Sequence, residues 1–92
     1  MIGDPDYCFI CGTSQNLETH HCIGGSYRSI SDKLGMTVRV CSNCHTMNPD
    51  SIHRDPKSVS KKWLQKVGQI WAMEHYKWTV DEFRKVVGKN FL

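Results

Sequence analysis

Five cysteines and five histidines in a chain of 92 residues are the side chains best able to do chemistry. Four of the cysteines form two Cys-x-x-Cys pairs, Cys8 with Cys11 and Cys41 with Cys44. The two-residue spacing lets both sulfurs of a pair face one ion, and two pairs complete a tetrahedral site. Two matched pairs favour structural zinc over a redox dithiol or free core cysteines. A chain this short has a marginal core, so a metal that stabilises the fold is expected.

The segment between the two pairs, residues 12–40, is longer than the roughly 15–20 residues of a simple zinc ribbon. It must therefore hold an additional element. The fifth cysteine, Cys22, lies within it, directly after a histidine pair. We interpret Cys22 as a small buried apolar residue, with a role as metal ligand as the alternative.

Four of the five histidines lie in or beside the segment between the cysteines: His20, His21, His45 and His53. Adjacent histidines on a strand point to opposite faces, so one can bind a metal while the other addresses a water or the substrate. His45 directly follows Cys44, so a zinc ion there would fix its position. The alternatives are a spare zinc ligand or capping residue at His45, and an incidental pair at His20 and His21. His75 is predicted to be a surface or core residue of a long helix.

The elements that must position these side chains are short in the first part of the chain. Strands are predicted at Tyr7–Ile10 and Leu17–Cys22, and most clearly at Thr37–Val40, where three residues are β-branched. A loop is expected over residues 23–36. A short helix is predicted to begin near Cys41–Cys44, and the Asn-Pro-Asp turn that follows limits its length.

The rest of the chain is helical by pattern. Apolar residues recur at helical spacing and are predicted to form one buried stripe: Trp63, Leu64, Val67, Ile70 and Trp71. Ser58 or Ser60 can cap the start of this helix. Thr79–Glu82 has the spacing of a capping box, and Gly88 would end the last helix. We predict one domain in two sections, a metal-binding core at 1–56 and a helical extension at 57–92 that packs on it.

The net charge of +3 is unevenly distributed. Residues 1–19 contain no basic residue, whereas residues 54–66 contain five against one aspartate. This asymmetry fits either a nucleic-acid partner or a solvated helix face. The chain has neither an apolar run of about 20 residues nor a beginning like a signal peptide, so we expect a cytoplasmic protein without membrane contact.

Three segments together resemble the HNH (His-Me finger, ββα-metal) endonucleases, in particular short phage and prophage proteins with a Glu-x-His-His core between two Cys-x-x-Cys pairs. These segments are Leu17–His21, the strand Thr37–Val40, and Cys41–His45. Ser51–Arg54 is similar to the end of the motif in colicin-type DNases. The resemblance spans about residues 8–54. It implies a small α+β fold with a zinc-bound ββα-metal core, followed here by two C-terminal helices.

The resemblance also implies roles for the histidines. His21 becomes the general base, while His20 and His45 hold a catalytic divalent ion, which could be Mg²⁺, Mn²⁺, Ni²⁺ or Zn²⁺. His53 becomes a third ligand or a phosphate-facing group, and Glu18 orients a ligand or assists the base. The chain departs from the family pattern at Met36, near the position of the middle asparagine. It also departs in the longer spacing between His45 and His53.

The function that follows is hydrolysis of phosphodiester bonds in nucleic acid, with double-stranded DNA favoured. Basic residues expected to hold the flanking phosphates are Arg39, Arg54, Lys57, Lys61 and Lys62. The main alternative is a non-catalytic zinc-binding module for nucleic acid or a protein partner. Another is a single zinc site in which a histidine replaces one cysteine. Size and family context suggest a homodimer or a phage protein partner, and a phage or prophage origin in a bacterial host.

Overall fold

The computed structural model describes residues 1–47, 52 and 59–92, which fold into a small α+β structure. Strand β1 is Leu17–His21 and strand β2 is Thr37–Cys41. Between them lie a 3₁₀ turn at Gly25–Tyr27 and helix α1 at Arg28–Leu34. A π-helical turn at Asn43–Met47 follows β2, and the chain ends in helices α2, Val59–Tyr76, and α3, Val80–Val87. None of the helices formed by these residues combines the length and the apolar character that a membrane span requires.

The two strands pair in antiparallel fashion, and their register decides which side chains share a face. His20 pairs with Val38 and Glu18 pairs with Val40. Directly opposed residues lie on the same face of a sheet, so Glu18 and His20 share the face of two fully buried valines. His21 pairs with Thr37 and lies on the other face. The predicted strand at Thr37–Val40 is confirmed and extends by one residue.

The predicted strand at Tyr7–Ile10 is wrong, because this segment turns. Cys8 donates its backbone N–H to the carbonyl of Thr13 over 2.7 Å, and Gly12 donates back to the carbonyl of Cys8 over 2.9 Å. Gly12 has a φ of 81°, a conformation that glycine adopts without strain. The turn brings the sulfurs of Cys8 and Cys11 together, which an extended strand would separate. A hydrogen bond from the N–H of Phe9 to the carbonyl of Arg39 anchors the turn beside β2.

The segment between the strands was predicted as a loop, but it contains helix α1. One buried serine on this helix forms hydrogen bonds to both ends of the segment. Ser31 is fully buried. Its hydroxyl donates to the carbonyl of Met36 over 2.8 Å and accepts the N–H of Ile23 over 3.4 Å. Met36 itself is buried and also accepts the N–H of Cys22. Ser31 therefore holds together the two ends of the segment that connects β1 to β2.

Helix α2 confirms part of the predicted stripe, because Leu64 is buried and Val67 and Trp71 are partly buried against the core. Its buried residues are Leu64, Gly68, Gln69 and Ala72. Trp63 and Ile70, predicted to be buried, are 45% and 46% exposed. The reason is steric, because small residues let the helix approach the rest of the fold closely, where a tryptophan would hold it away. Ser60 lies inside α2 and cannot be its cap, and Ser58 lies outside the described residues. The predicted section boundary at 56/57 also lies outside them.

Helix α2 approaches the end of β1 closely where Gly68 meets Cys22. A Cβ atom at Gly68 would lie 2.7 Å from the Cβ of Cys22, nearer than side chains tolerate. Cys22 is 2% exposed, as predicted for a small buried apolar residue. Burial raises the pKa of its thiol to about 12, so the side chain is uncharged at neutral pH. Glycine at position 68 and a small residue at position 22 therefore set the distance between α2 and the end of β1.

The C-terminal helix has the boundaries that the sequence predicts. Thr79 accepts the N–H of Glu82, and the Glu82 carboxylate accepts the N–H of Thr79, which completes the capping box. Gly88 ends the helix with a φ of 103°. Phe83 and Val87 are buried beneath it. The sequence predicts these boundaries because each of the signals involves residues that are close together in the chain.

Candidate metal centre and histidine cleft

The four cysteines of the two pairs converge on one point. The sulfurs of Cys8, Cys11, Cys41 and Cys44 all lie within 4.8 Å of one another. The sulfurs of Cys11 and Cys41 are 3.6 Å apart. A tetrahedral zinc site with Zn–S bonds of about 2.3 Å requires sulfur separations of about 3.8 Å. The group is therefore close enough to hold one zinc ion, and it is the only cluster of three or more potential ligands within residues 1–47, 52 and 59–92.

The electrostatics of the group suit a cation. Burial raises the pKa of Cys8, but N–H groups of Cys11, Cys41 and Ile10 bond to its sulfur and lower the pKa overall, to about 6. Cys44 shows the opposite effect, because burial and the neighbouring sulfurs raise its pKa. Four thiolates this close repel one another, and a divalent cation removes that repulsion.

The cysteines come from three separate elements. The first pair lies on the N-terminal turn, Cys41 ends β2, and Cys44 lies in the π-helical turn. The backbone carbonyl of Cys44 also accepts a hydrogen bond from the N–H of Ile52. The side chain of Ile52 is fully buried. A metal at this point would connect the N-terminal turn to the sheet and to the segment that carries His45.

His20 and His45 lie together on one face of the sheet. His20 is 5% exposed, and its ring centroid is 5.4 Å from that of His45 in an edge-to-face arrangement. The Nδ1 atom of His45 is 2.8 Å from Oε1 of Glu18. Glu18 and His20 are two residues apart on β1 and share its face. The π-helical turn thus places His45 against the two strand residues that the sequence singled out.

His21 leaves β1 on the opposite face. Its Nε2 atom lies 3.4 Å from Oδ1 of Asp32 on helix α1, and the histidine side chain is 18% exposed. Asp32 was not predicted as a site residue. Its position depends on the fold of the segment between the strands, and no short motif marks it.

The three histidines border one cavity of about 320 Å³. Gly24, Gly25 and Arg28 complete most of its wall. A second cavity of about 350 Å³ shares His20, His21 and the two glycines with the first. We call the two cavities together the histidine cleft. No described residue that lines either cavity is acidic.

The predicted basic residues divide into three sets. Lys61 lines the second cavity. Arg39 is half-buried on β2 opposite Thr19, whereas Lys62 is exposed on α2. Neither of these two residues lines the histidine cleft. His53, Arg54 and Lys57 lie outside the described residues, so their predicted roles stay predictions. The sequence reasoning missed Arg28 and Lys89, which also line the cleft.

Comparison of the chain with protein-family models, with curated proteins and with solved structures finds no match.

Proposed function

We propose that the protein is a metal-dependent endonuclease of the HNH (ββα-metal) type, which hydrolyses phosphodiester bonds in nucleic acid, with DNA favoured. One observation carries the proposal: His20, His21 and His45 border a single cleft, whose wall also contains Arg28. Three imidazoles can share the tasks of metal binding and proton transfer. The cationic Arg28 in the same wall suits a substrate whose phosphates are negatively charged.

The arrangement of elements supports a ββα-metal core. Two antiparallel strands are followed directly by a helical turn that carries His45, and the cysteine group would bind structural zinc beside it. In the resembled family an asparagine pins the connecting segment, and here Met36 lies near that position. Ser31 supplies the equivalent constraint, because its hydroxyl joins the two ends of the segment.

His20 and His45 would hold the catalytic divalent ion, with His53 proposed as a third ligand. The carboxylate of Glu18 lies at Nδ1 of His45, where it selects the tautomer that presents Nε2 as a metal ligand. Glu18 thus orients a ligand. Mg²⁺, Mn²⁺, Ni²⁺ or Zn²⁺, when bound, supplies Lewis-acid stabilisation of charge on the phosphoryl oxygens.

His21 would act as the general base. Neutral imidazole has a pKa of about 6.5, so it can take a proton from water near neutral pH. The water oxygen then bonds to phosphorus, the bond to the leaving oxygen breaks, and that oxygen takes up a proton to become a hydroxyl. The products are a phosphate monoester and a free hydroxyl end. Asp32, at 3.4 Å from Nε2 of His21, would orient the ring.

The direct test is cleavage by the purified protein. Supercoiled plasmid is incubated with the protein and Mg²⁺, Mn²⁺ or Ni²⁺, and the expected products are nicked and linear DNA. Metal analysis should find one tightly bound zinc per chain and a second, weaker divalent ion that exchanges. Failure to cleave with every metal, together with binding of the plasmid, would instead support the non-catalytic zinc-binding module.

Removal of the Glu18 carboxylate should weaken the binding of the catalytic ion without changing the binding of the structural zinc. We expect Glu18→Ala to lower the affinity for the divalent ion by about 10–100-fold, because a carboxylate behind a ligating histidine orients and polarises it. The measurement is the concentration of Mn²⁺ that gives half-maximal cleavage. Zinc content and melting temperature should stay close to those of the parent protein, since Glu18 is 48% exposed.

Glu74→Ala is the matched control. Glu74 lies on the exposed side of α2, and its loss changes the net charge by the same amount. It should leave the Mn²⁺ dependence unchanged. An equal shift in both variants would mean that charge alone is responsible, and would contradict the role assigned to Glu18.

A further inference from the structure

The second cavity continues the histidine cleft towards the C-terminal part of the chain. The C-terminal part of the chain contributes four residues to its lining, Lys61 and Gln65 of α2 and Lys89 and Phe91 after α3. Two lysines therefore flank a groove that opens directly beside His20 and His21. The resemblance to nucleases ends near residue 54, and of these four residues only Lys61 was expected to hold a phosphate.

The wall of this groove is held in place by a buried glutamine. Gln69 is fully buried. Its Oε1 accepts the N–H of Phe91 over 2.6 Å, and its Nε2 donates to Oδ1 of Asn90 over 2.8 Å. A buried amide with both ends bonded to the same short segment fixes that segment's path. The residues after α3 are thus held in a defined position in the wall of the groove.

Aromatic contacts then position the lysine. Phe91 packs edge-to-face against Tyr27, with ring centroids 5.9 Å apart. The Nζ atom of Lys89 lies 5.4 Å from the centre of the Phe91 ring, within the range of a cation–π contact. This contact restrains the ammonium group beside the groove. Tyr27 ends the 3₁₀ turn that begins at Gly25, so the groove is lined by both the N-terminal and the C-terminal parts of the chain.

We propose that this groove, with Lys89 and Lys61 at its edges, binds the phosphate backbone of the nucleic-acid strand that leaves the cleavage site. The inference rests on the proposed function, since it places the scissile phosphate at the histidines. It deepens that function by naming the path of the substrate. Two lysines at the edges of a groove complement a chain of phosphates. Such contacts position the strand without reading its bases.

Lys89→Gln tests the groove, and Lys85→Gln is its control. Both lysines are exposed and both substitutions remove one charge, but Lys85 lies on α3 and does not line the groove. Binding of a fluorescein-labelled DNA oligonucleotide is measured by anisotropy at several salt concentrations, with zinc-loaded protein and no added divalent ion. The slope of log affinity against log salt should fall by about 0.7–0.9 for Lys89→Gln, the loss of one phosphate contact. It should not change for Lys85→Gln.

Cleavage assays separate this proposal from the proposed function. With Lys89→Gln, KM should rise several-fold while kcat is retained, because Lys89 binds the strand away from the reacting atoms. Equal salt slopes for the two lysine variants would overturn the groove, even if the parent protein cleaves DNA. A slope that falls only for Lys89→Gln, in a protein that cleaves nothing, would retain the groove as a nucleic-acid site and refute the nuclease. Absence of DNA binding by the parent protein would overturn the groove outright.

Discussion

A Cys41→Ser variant is expected not to fold, and a strong zinc chelator should unfold the parent protein. Cys41 is 5% exposed and lies where β2 meets the other three cysteines. Zinc binding in small domains of this kind contributes on the order of 10–16 kcal/mol, which equals or exceeds the about 5–15 kcal/mol that stabilises a whole domain. Loss of a thiolate removes much of that binding energy. Circular dichroism should show no cooperative melting transition, and metal analysis should show no retained zinc.

Cys22→Ala is the matched control for this experiment. Cys22 is also a buried cysteine, but it packs against Gly68 and is not part of the four-cysteine group. Replacing its sulfur by hydrogen leaves the Cβ atom and removes one buried atom, so the variant should keep its zinc and melt cooperatively. A Cys41→Ser protein with the melting temperature of the parent would show that the fold does not depend on the metal.

A His21→Ala variant is expected to keep its fold and lose cleavage. Loss of a general base lowers the rate by about 10²–10⁴-fold. The side chain of His21 is partly exposed at the end of β1, and its partner Asp32 is 73% exposed, so truncation leaves no buried polar group unpaired. The rate of plasmid cleavage at saturating metal measures the effect. The Mn²⁺ concentration for half-maximal activity should not change, because His21 is not assigned as a ligand.

His75→Ala provides the comparison for His21→Ala. His75 is exposed on α2, stacked on Trp71, and lines neither cavity of the histidine cleft. This variant should cleave at the parent rate. Cleavage by His21→Ala at the rate of His75→Ala would refute the assignment of His21 as the base, while leaving the metal site to be tested through Glu18.

Features that depend on neighbouring residues could be predicted from the sequence. The capping box at Thr79–Glu82 and the end of α3 at Gly88 involve residues within one or two turns of each other. Three of the four residues in Thr37–Val40 are β-branched, which predicts strand β2, and the Cys-x-x-Cys spacing alone implies convergent sulfurs. In each case the physical cause is contained in a few consecutive residues.

Features that depend on packing between distant residues could not be predicted from the sequence. The buried stripe of α2 is displaced from Trp63 and Ile70 because Gly68 must approach Cys22, and no periodicity in the helix records that contact. The predicted strand at Tyr7–Ile10 failed for a different reason, because the Cys-x-x-Cys spacing already requires a turn that brings two sulfurs to one point. Ser31 acts from the middle of a segment that reads as an irregular loop, and its importance follows only from its burial between Ile23 and Met36.

In the candidate site, too, some features follow from the sequence and others only from the fold. By itself, the sequence determined the four-cysteine group and the histidines worth attention, because residue type and spacing specify the chemistry available. Only the tertiary structure decided that Glu18 meets His45, that Asp32 meets His21, and that Lys89 reaches the same cleft. These partners are far apart in the chain. Strand register, the segment held by Ser31 and the contacts of Gln69 bring them together, and those interactions exist only after the chain has folded.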